Sequence, residues 1–147
     1  MSSWFARGLE RREFMAWAAA AGASVALLGC GGEGAAGTVV AAGGKVTLSF
    51  SQFPDLSTPG GGVVVQVQGG NPVLVVRQDT TTAVAMSAVC THQGCTVNFD
   101  QGTKGASCPC HGSQYDAAGQ VVHGPATRSL AALPAVVDGA GITVTVG

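Results

Sequence analysis

The 147-residue chain has room for one small domain and an appendage. Only 10 % of it is charged, the formal net charge is −1, and beyond Cys30 four bases face six acids, so no basic patch for nucleic acid is available. Twenty-three glycines and 5 % aromatics argue for loop-rich β structure over helices, with a core of Val, Leu, Ala and a few Phe.

Residues 1–14 carry Arg7, Arg11 and Arg12 and precede the apolar run Met15 to Gly29, the layout of an export signal. The order Arg11-Arg12-Glu13-Phe14-Met15 resembles a twin-arginine signal, a route that carries folded domains. Leu27-Leu28-Gly29-Cys30-Gly31 resembles a bacterial lipoprotein box with Cys30 as the acylated residue; an uncleaved signal anchor is the alternative. As a helix, Met15 to Gly29 would reach about 22 Å, short of the ~30 Å hydrocarbon core. In either case the chain is tethered to a membrane and faces an oxidising compartment. Residues 31–44 are glycine-rich and without period, and read as a flexible linker between the segment 1–30 and a domain over 45–147.

From Lys45 the pattern turns to short β-type runs. Lys45–Phe50 alternates in polarity, and Val63–Gln68 and Pro72–Gln78 form a hairpin around Gly69-Gly70-Asn71. Ala83–Val89 is a fourth run, leading into Cys90. Short strands with glycine turns predict an all-β domain, an antiparallel sandwich or small barrel. Thr96–Phe99 and Ala106-Ser107 read as a hairpin around Asp100-Gln101-Gly102. Asp116 to Gly119 is a turn, Gln120–His123 a strand, and Leu130–Val137 and Ile142–Val146 close the domain around Asp138-Gly139.

The chemistry is concentrated between Cys90 and Tyr115. CTHQGC and CPCHGSQY hold four of the five cysteines and two of the three histidines, as C-x-H, a fifteen-residue gap, then C-x-x-H. Two thiolates and two imidazoles suit an iron–sulfur pair with mixed ligands; a tetrahedral zinc site is the competing donor chemistry. The two motifs resemble those of the Rieske [2Fe–2S] family. The resemblance implies one [2Fe–2S] cluster per chain, with Cys90 and Cys108 on one iron and His92 and His111 on the other. It implies a Cys95–Cys110 disulfide clamping the loops, and a cluster-binding subdomain of about 88–127 inserted in the β base. Ser113 and Tyr115 match residues that donate hydrogen bonds to a bridging sulfide and to the Cys90 sulfur, which raises the potential. Gly124-Pro125-Ala126 matches the core of a proline loop covering the cluster. His123 has no partner motif and reads as an ordinary surface histidine.

The resemblance further implies one-electron transfer at high potential, about −150 to +300 mV for such centres. The closest likeness is to Rieske subunits of cytochrome bc- and bf-type complexes. There the electron and a proton come from quinol, with His92 or His111 as contact and proton acceptor, and the electron passes to a cytochrome. The chain would then be a redox subunit beside cytochrome b and a cytochrome c or other acceptor, not catalytic alone. It would lie at the outer, periplasmic face of the cytoplasmic membrane, held by its amino-terminal anchor. The small subunit of a periplasmic molybdenum oxidase, such as arsenite oxidase, is the alternative placement; a ferredoxin for ring-hydroxylating oxygenases fits poorly with export and the cysteine pair.

Overall fold

The computed structural model describes residues 37–147, and the segments around Arg11, Arg12 and Cys30 lie outside the described residues. Twelve strands run in chain order: β1 (Thr38–Val39), β2 (Lys45–Ser49), β3 (Gly62–Val67), β4 (Val73–Arg77), β5 (Ala83–Ser87), β6 (Asn98–Asp100), β7 (Gly105–Ser107), β8 (Gln114–Tyr115), β9 (Val121–His123), β10 (Ala132–Leu133), β11 (Ala135–Val137) and β12 (Gly141–Thr145). A single turn of 3₁₀ helix, Pro54–Ser57, sits between β2 and β3 and buries Leu56.

Three sheets result: a central one in the order β1-β3-β4-β5-β10, a base of β11-β12-β2, and a small sheet β6-β7-β8-β9. The central strands are buried on both faces, which explains their near-continuous apolar runs. Val63, Val65, Val67, Val73 and Val75 pack with Val46, Leu48, Ile142 and Val144 of the base. Val64, Leu74, Val76 and Met86 point the other way, onto Cys90, Val97, Ala106, Cys108 and Tyr115. One sheet therefore serves as floor to two cores, and the second core ends at the two thiols. By contrast β2 alternates, with Val46 and Leu48 buried and Lys45 and Thr47 exposed, as its sequence predicts.

Two expectations are corrected. Residues 38–39 are not linker: β1 pairs in parallel with β3, and the N–H groups of Gln66 and Gln68 donate to the carbonyls of Gly37 and Val39. Leu130–Val137 is not one strand. Pro134, which offers no N–H to a ladder, divides it, so that β10 joins β5 in the central sheet and β11 joins β12 in the base. The chain thereby stitches the two sheets together.

Arg77, the last residue of β4, is charged yet only 6 % exposed. Its guanidinium donates to the carbonyls of Leu56, Asp79 and Thr80 and lies 4.7 Å from the centre of the Phe50 ring. It thus ties the 3₁₀ turn and the β4–β5 turn to the sheet. Replacing it by Leu strands three carbonyls and is expected to cost about 2–4 kcal/mol, measured by urea unfolding. The same β4–β5 turn is built on Asp79, whose carboxylate accepts from the hydroxyls and N–H groups of Thr81 and Thr82. The Thr82 hydroxyl bond is the largest of the effects that hold its pKa far below the usual carboxylate value. A depressed folded-state pKa contributes stability above the unfolded value that is lost as pH falls. The Tm difference between wild type and Asp79→Ala should therefore be steady near neutrality and shrink below about pH 4.

Candidate metal centre

Both motifs fold into the same turn. In the first, Cys90 N–H donates to the Cys95 carbonyl (2.7 Å) and Gly94 N–H to the Cys90 carbonyl (2.9 Å). In the second, Cys108 N–H donates to the Ser113 carbonyl (2.8 Å) and Gly112 N–H to the Cys108 carbonyl (3.0 Å). Gly94 and Gly112 close the turns at φ 76° and 79°, where a side chain would be strained. Each turn aims two N–H groups at its own cysteine sulfur, those of His92 and Gln93 at Cys90 and those of Cys110 and His111 at Cys108, a common way of cradling anionic sulfur.

β5 delivers the first turn and the β7–β8 hairpin the second. Cys90 and Cys108 are free thiols, each 2 % exposed. His92 and His111 are exposed, their ring centroids 4.8 Å apart and nearly perpendicular at 82°. Cys95 and Cys110 are joined by a disulfide, as the resemblance implied. The Cys108 sulfur lies within 4.8 Å of both disulfide sulfurs. That trio is not a metal site, because a disulfide sulfur offers no thiolate.

Tyr115 is wholly buried, and its hydroxyl lies 3.4 Å from the Cys90 sulfur. Burial opposes ionisation of Cys90. The Tyr115 hydroxyl, the N–H groups of His92 and Gln93 and the Cys108 thiol outweigh it, so the Cys90 pKa falls below the ordinary thiol value. Cys108 is displaced upward, by burial first and then by its bond to Cys90. Tyr115 is likewise raised by burial and then by Cys90. The two thiols are thus displaced in opposite directions, Cys90 toward easier ionisation and Cys108 away from it. A bound cation would relieve that asymmetry.

Ser113 is also wholly buried, and its Oγ accepts from Ala126 N–H at 3.0 Å. That bond fixes the segment after Gly124-Pro125 against the second turn. Among the described residues nothing accepts the Ser113 proton, so a buried O–H donor remains available at the site. Two adjacent buried thiols, two facing imidazoles and a spare hydroxyl proton fit a [2Fe–2S] group with mixed ligands. His123 is exposed on β9 and lies opposite Gln114, outside this set.

Two contributors escaped the sequence reading. Thr91 bonds the Tyr115 hydroxyl through both its N–H (3.2 Å) and its Oγ1 (3.1 Å). Gly105 lets β7 and β8 approach so closely that an added Cβ would stand 2.0 Å from the Tyr115 carbonyl oxygen. Thr91 lies between two candidate ligands and could have been suspected from that alone; Gly105 carried no signal.

Residues 51–134, more than half of the chain, match the Rieske [2Fe-2S] domain family, and the chain belongs to that family. Its cofactor is accordingly a [2Fe–2S] cluster, and the zinc alternative falls away. Among its relatives is the cytochrome b6-f complex iron-sulfur subunit 1 of Nostoc sp., 40 % identical over 100 residues, covering 67 % of this chain and 56 % of the relative. The cytochrome b6-f complex iron-sulfur subunit of Microcystis aeruginosa is 44 % identical over 103 residues, 69 % of this chain and 57 % of the relative. The chain thus spans little more than half the length of these curated relatives. Among solved structures, the ferredoxin of carbazole 1,9a-dioxygenase from Nocardioides aromaticivorans aligns with a TM-score of 0.53 at 26 % identity, over 69 % of this chain and 95 % of that one.

The disulfide closes a loop with a separation of 15 residues. Such a closure is worth about 3 kcal/mol in the chain-entropy model. A cluster held by both turns would cross-link them as well, so Cys95→Ser/Cys110→Ser should lose less than this in the loaded protein. Bleaching of the visible bands during urea unfolding should accordingly begin at lower denaturant.

Proposed function

We propose that the chain is the electron-carrying head of a quinol-oxidising complex of the cytochrome bc or bf type. In this reading Cys90 and Cys108 hold one iron of the cluster and His92 and His111 the other. The bound cluster supplies a site that gains and loses one electron at a time. The observation that carries the reading is the polarity of the tip: thiols buried, imidazoles exposed and facing each other.

The chain's own residues then divide the work. The outward nitrogens of His92 and His111 present a proton-holding surface to a hydroxyl-bearing quinol. The turn N–H groups and the Tyr115 hydroxyl stabilise negative charge on Cys90. Ser113 turns its proton inward, because its oxygen is already engaged by Ala126 N–H. Gly124-Pro125-Ala126, pinned by that bond, shields one side of the tip from water. The disulfide keeps the two turns in register while one electron and one proton are handed over. The names of the sequence relatives, subunits of cytochrome b6-f complexes, support cytochromes as partners, and favour this placement over a molybdenum oxidase.

At the amino terminus we assign Arg11-Arg12 to twin-arginine export and Cys30 to lipid attachment, which would leash the head at the outer membrane face. None of the helices among the described residues is long and apolar enough to cross a membrane. An inhibitor of lipoprotein signal peptidase that leaves the mature size unchanged would count against the Cys30 assignment.

Low-temperature EPR of the reduced membrane fraction, with and without a quinol-site inhibitor, tests the main reading. A Rieske-type signal perturbed by the inhibitor is expected; a signal blind to it, with turnover unaffected, would refute quinol as the donor. His92→Ser or His111→Ser should abolish the signal. Ser113→Ala and Tyr115→Phe should each keep it while lowering the midpoint potential, since each removes a donor to sulfur.

A further inference from the structure

Three hydrogen-bonding groups crowd around the phenol oxygen of Tyr115, and two of them compete for its single proton. The Thr91 hydroxyl is within bonding distance of the Arg128 carbonyl, which can only accept, so the single Thr91 proton goes there. Thr91 Oγ1, 3.1 Å from the phenol oxygen, can then only accept from Tyr115. Thr91 N–H meanwhile donates to the phenol oxygen at 3.2 Å. The Cys90 sulfur lies 3.4 Å away on another side. As a thiolate it too can only accept. One phenol proton thus faces two acceptors, the Thr91 hydroxyl oxygen and the Cys90 sulfur.

We infer that Thr91 is a positioning residue that sets how much of the Tyr115 proton reaches the Cys90 sulfur, and so trims the potential of the centre downward from the value Tyr115 alone would give. The inference rests on the ligand assignment proposed above. Two features make the competition effective. Tyr115 is wholly buried, so no solvent proton can serve the second acceptor. The Thr91–Arg128 bond ties the hydroxyl to the segment following Gly124-Pro125-Ala126, and therefore commits its proton away from the phenol. The backbone N–H of Thr91 acts in the opposite sense: by donating to the phenol oxygen it strengthens the phenol as a donor. Side chain and backbone of one residue thus pull in opposite directions, and only the side chain can be removed by mutation.

Removing it makes a prediction opposite to that of a purely structural role. Thr91→Val keeps the shape and deletes the competing acceptor, so the phenol proton passes wholly to sulfur. The midpoint potential should shift upward, by less than Tyr115→Phe shifts it downward. Thr91→Ser keeps the hydroxyl and should restore the wild-type potential. In a Tyr115→Phe background Thr91→Val should give no upward shift, because there is no proton to redistribute; this arm separates the effect from any loosening around Arg128.

A second readout needs no variant at that position. Tyr115 is the chain's one tyrosine, so ring-labelled tyrosine reports on it alone. In redox-difference infrared spectra of the loaded wild-type protein, its C–O band should move on reduction, as the more negative sulfur draws the proton away from Thr91. An unmoved band, a Thr91→Val potential that is unchanged or lower, or an equal rise in the Tyr115→Phe background would each overturn the inference while leaving the EPR signal, and with it the ligand assignment, intact. A wild-type protein with no Rieske-type signal would overturn the ligand assignment first and this inference with it.

Discussion

Among the described residues, no backbone hydrogen bond joins the turn at 90–95 to the turn at 108–113. Each turn closes on itself through its own cysteine and glycine. What brings them mouth to mouth is side-chain chemistry: the Cys95–Cys110 disulfide at the rim and the Tyr115 hydroxyl at the floor. The polar turns at the tip thereby become a fixed set of donors.

The rest of the molecule supports that arrangement from below. Among the described residues Tyr115 is the largest wholly buried side chain, and its ring belongs to the core on which the central sheet rests. The same sheet presents its other face to the base, where Val46, Leu48, Ile142 and Val144 complete a second core. Gly62 permits the Phe99 ring to lie directly on β3, since a Cβ there would stand 2.5 Å from the ring. The small sheet is thus seated on the central one by packing as well as by the chain connections. A displacement in the floor would be felt at the sulfur, because interiors of this density transmit strain.

Much of the site was legible because its residues are rare and their spacings short. Cysteines, histidines and the GSQY stretch announce themselves, and the alternation in Lys45–Phe50 reports its half-buried strand. Other features were hidden for identifiable reasons. Thr38–Val39 reads as linker since two residues carry no period, and only the open edge of β3 makes them a strand. Pro134 sits within an apolar stretch, and its effect of sending the two halves to different sheets depends on where those sheets lie. Arg77 looks like a surface cation until the carbonyls of Leu56, Asp79 and Thr80 converge on it.

The sequence by itself determined the family, the cluster chemistry and the run of short strands, because ligand identity and hydrophobic pattern are local properties. It did not determine the fate of each proton around Tyr115, or the pinning of residues 126–128 to both turns. Those depend on atoms 13 to 37 residues apart meeting within hydrogen-bond distance. Only the folded chain decides such meetings, because a hydroxyl's single proton goes to whichever acceptor the packing leaves nearest.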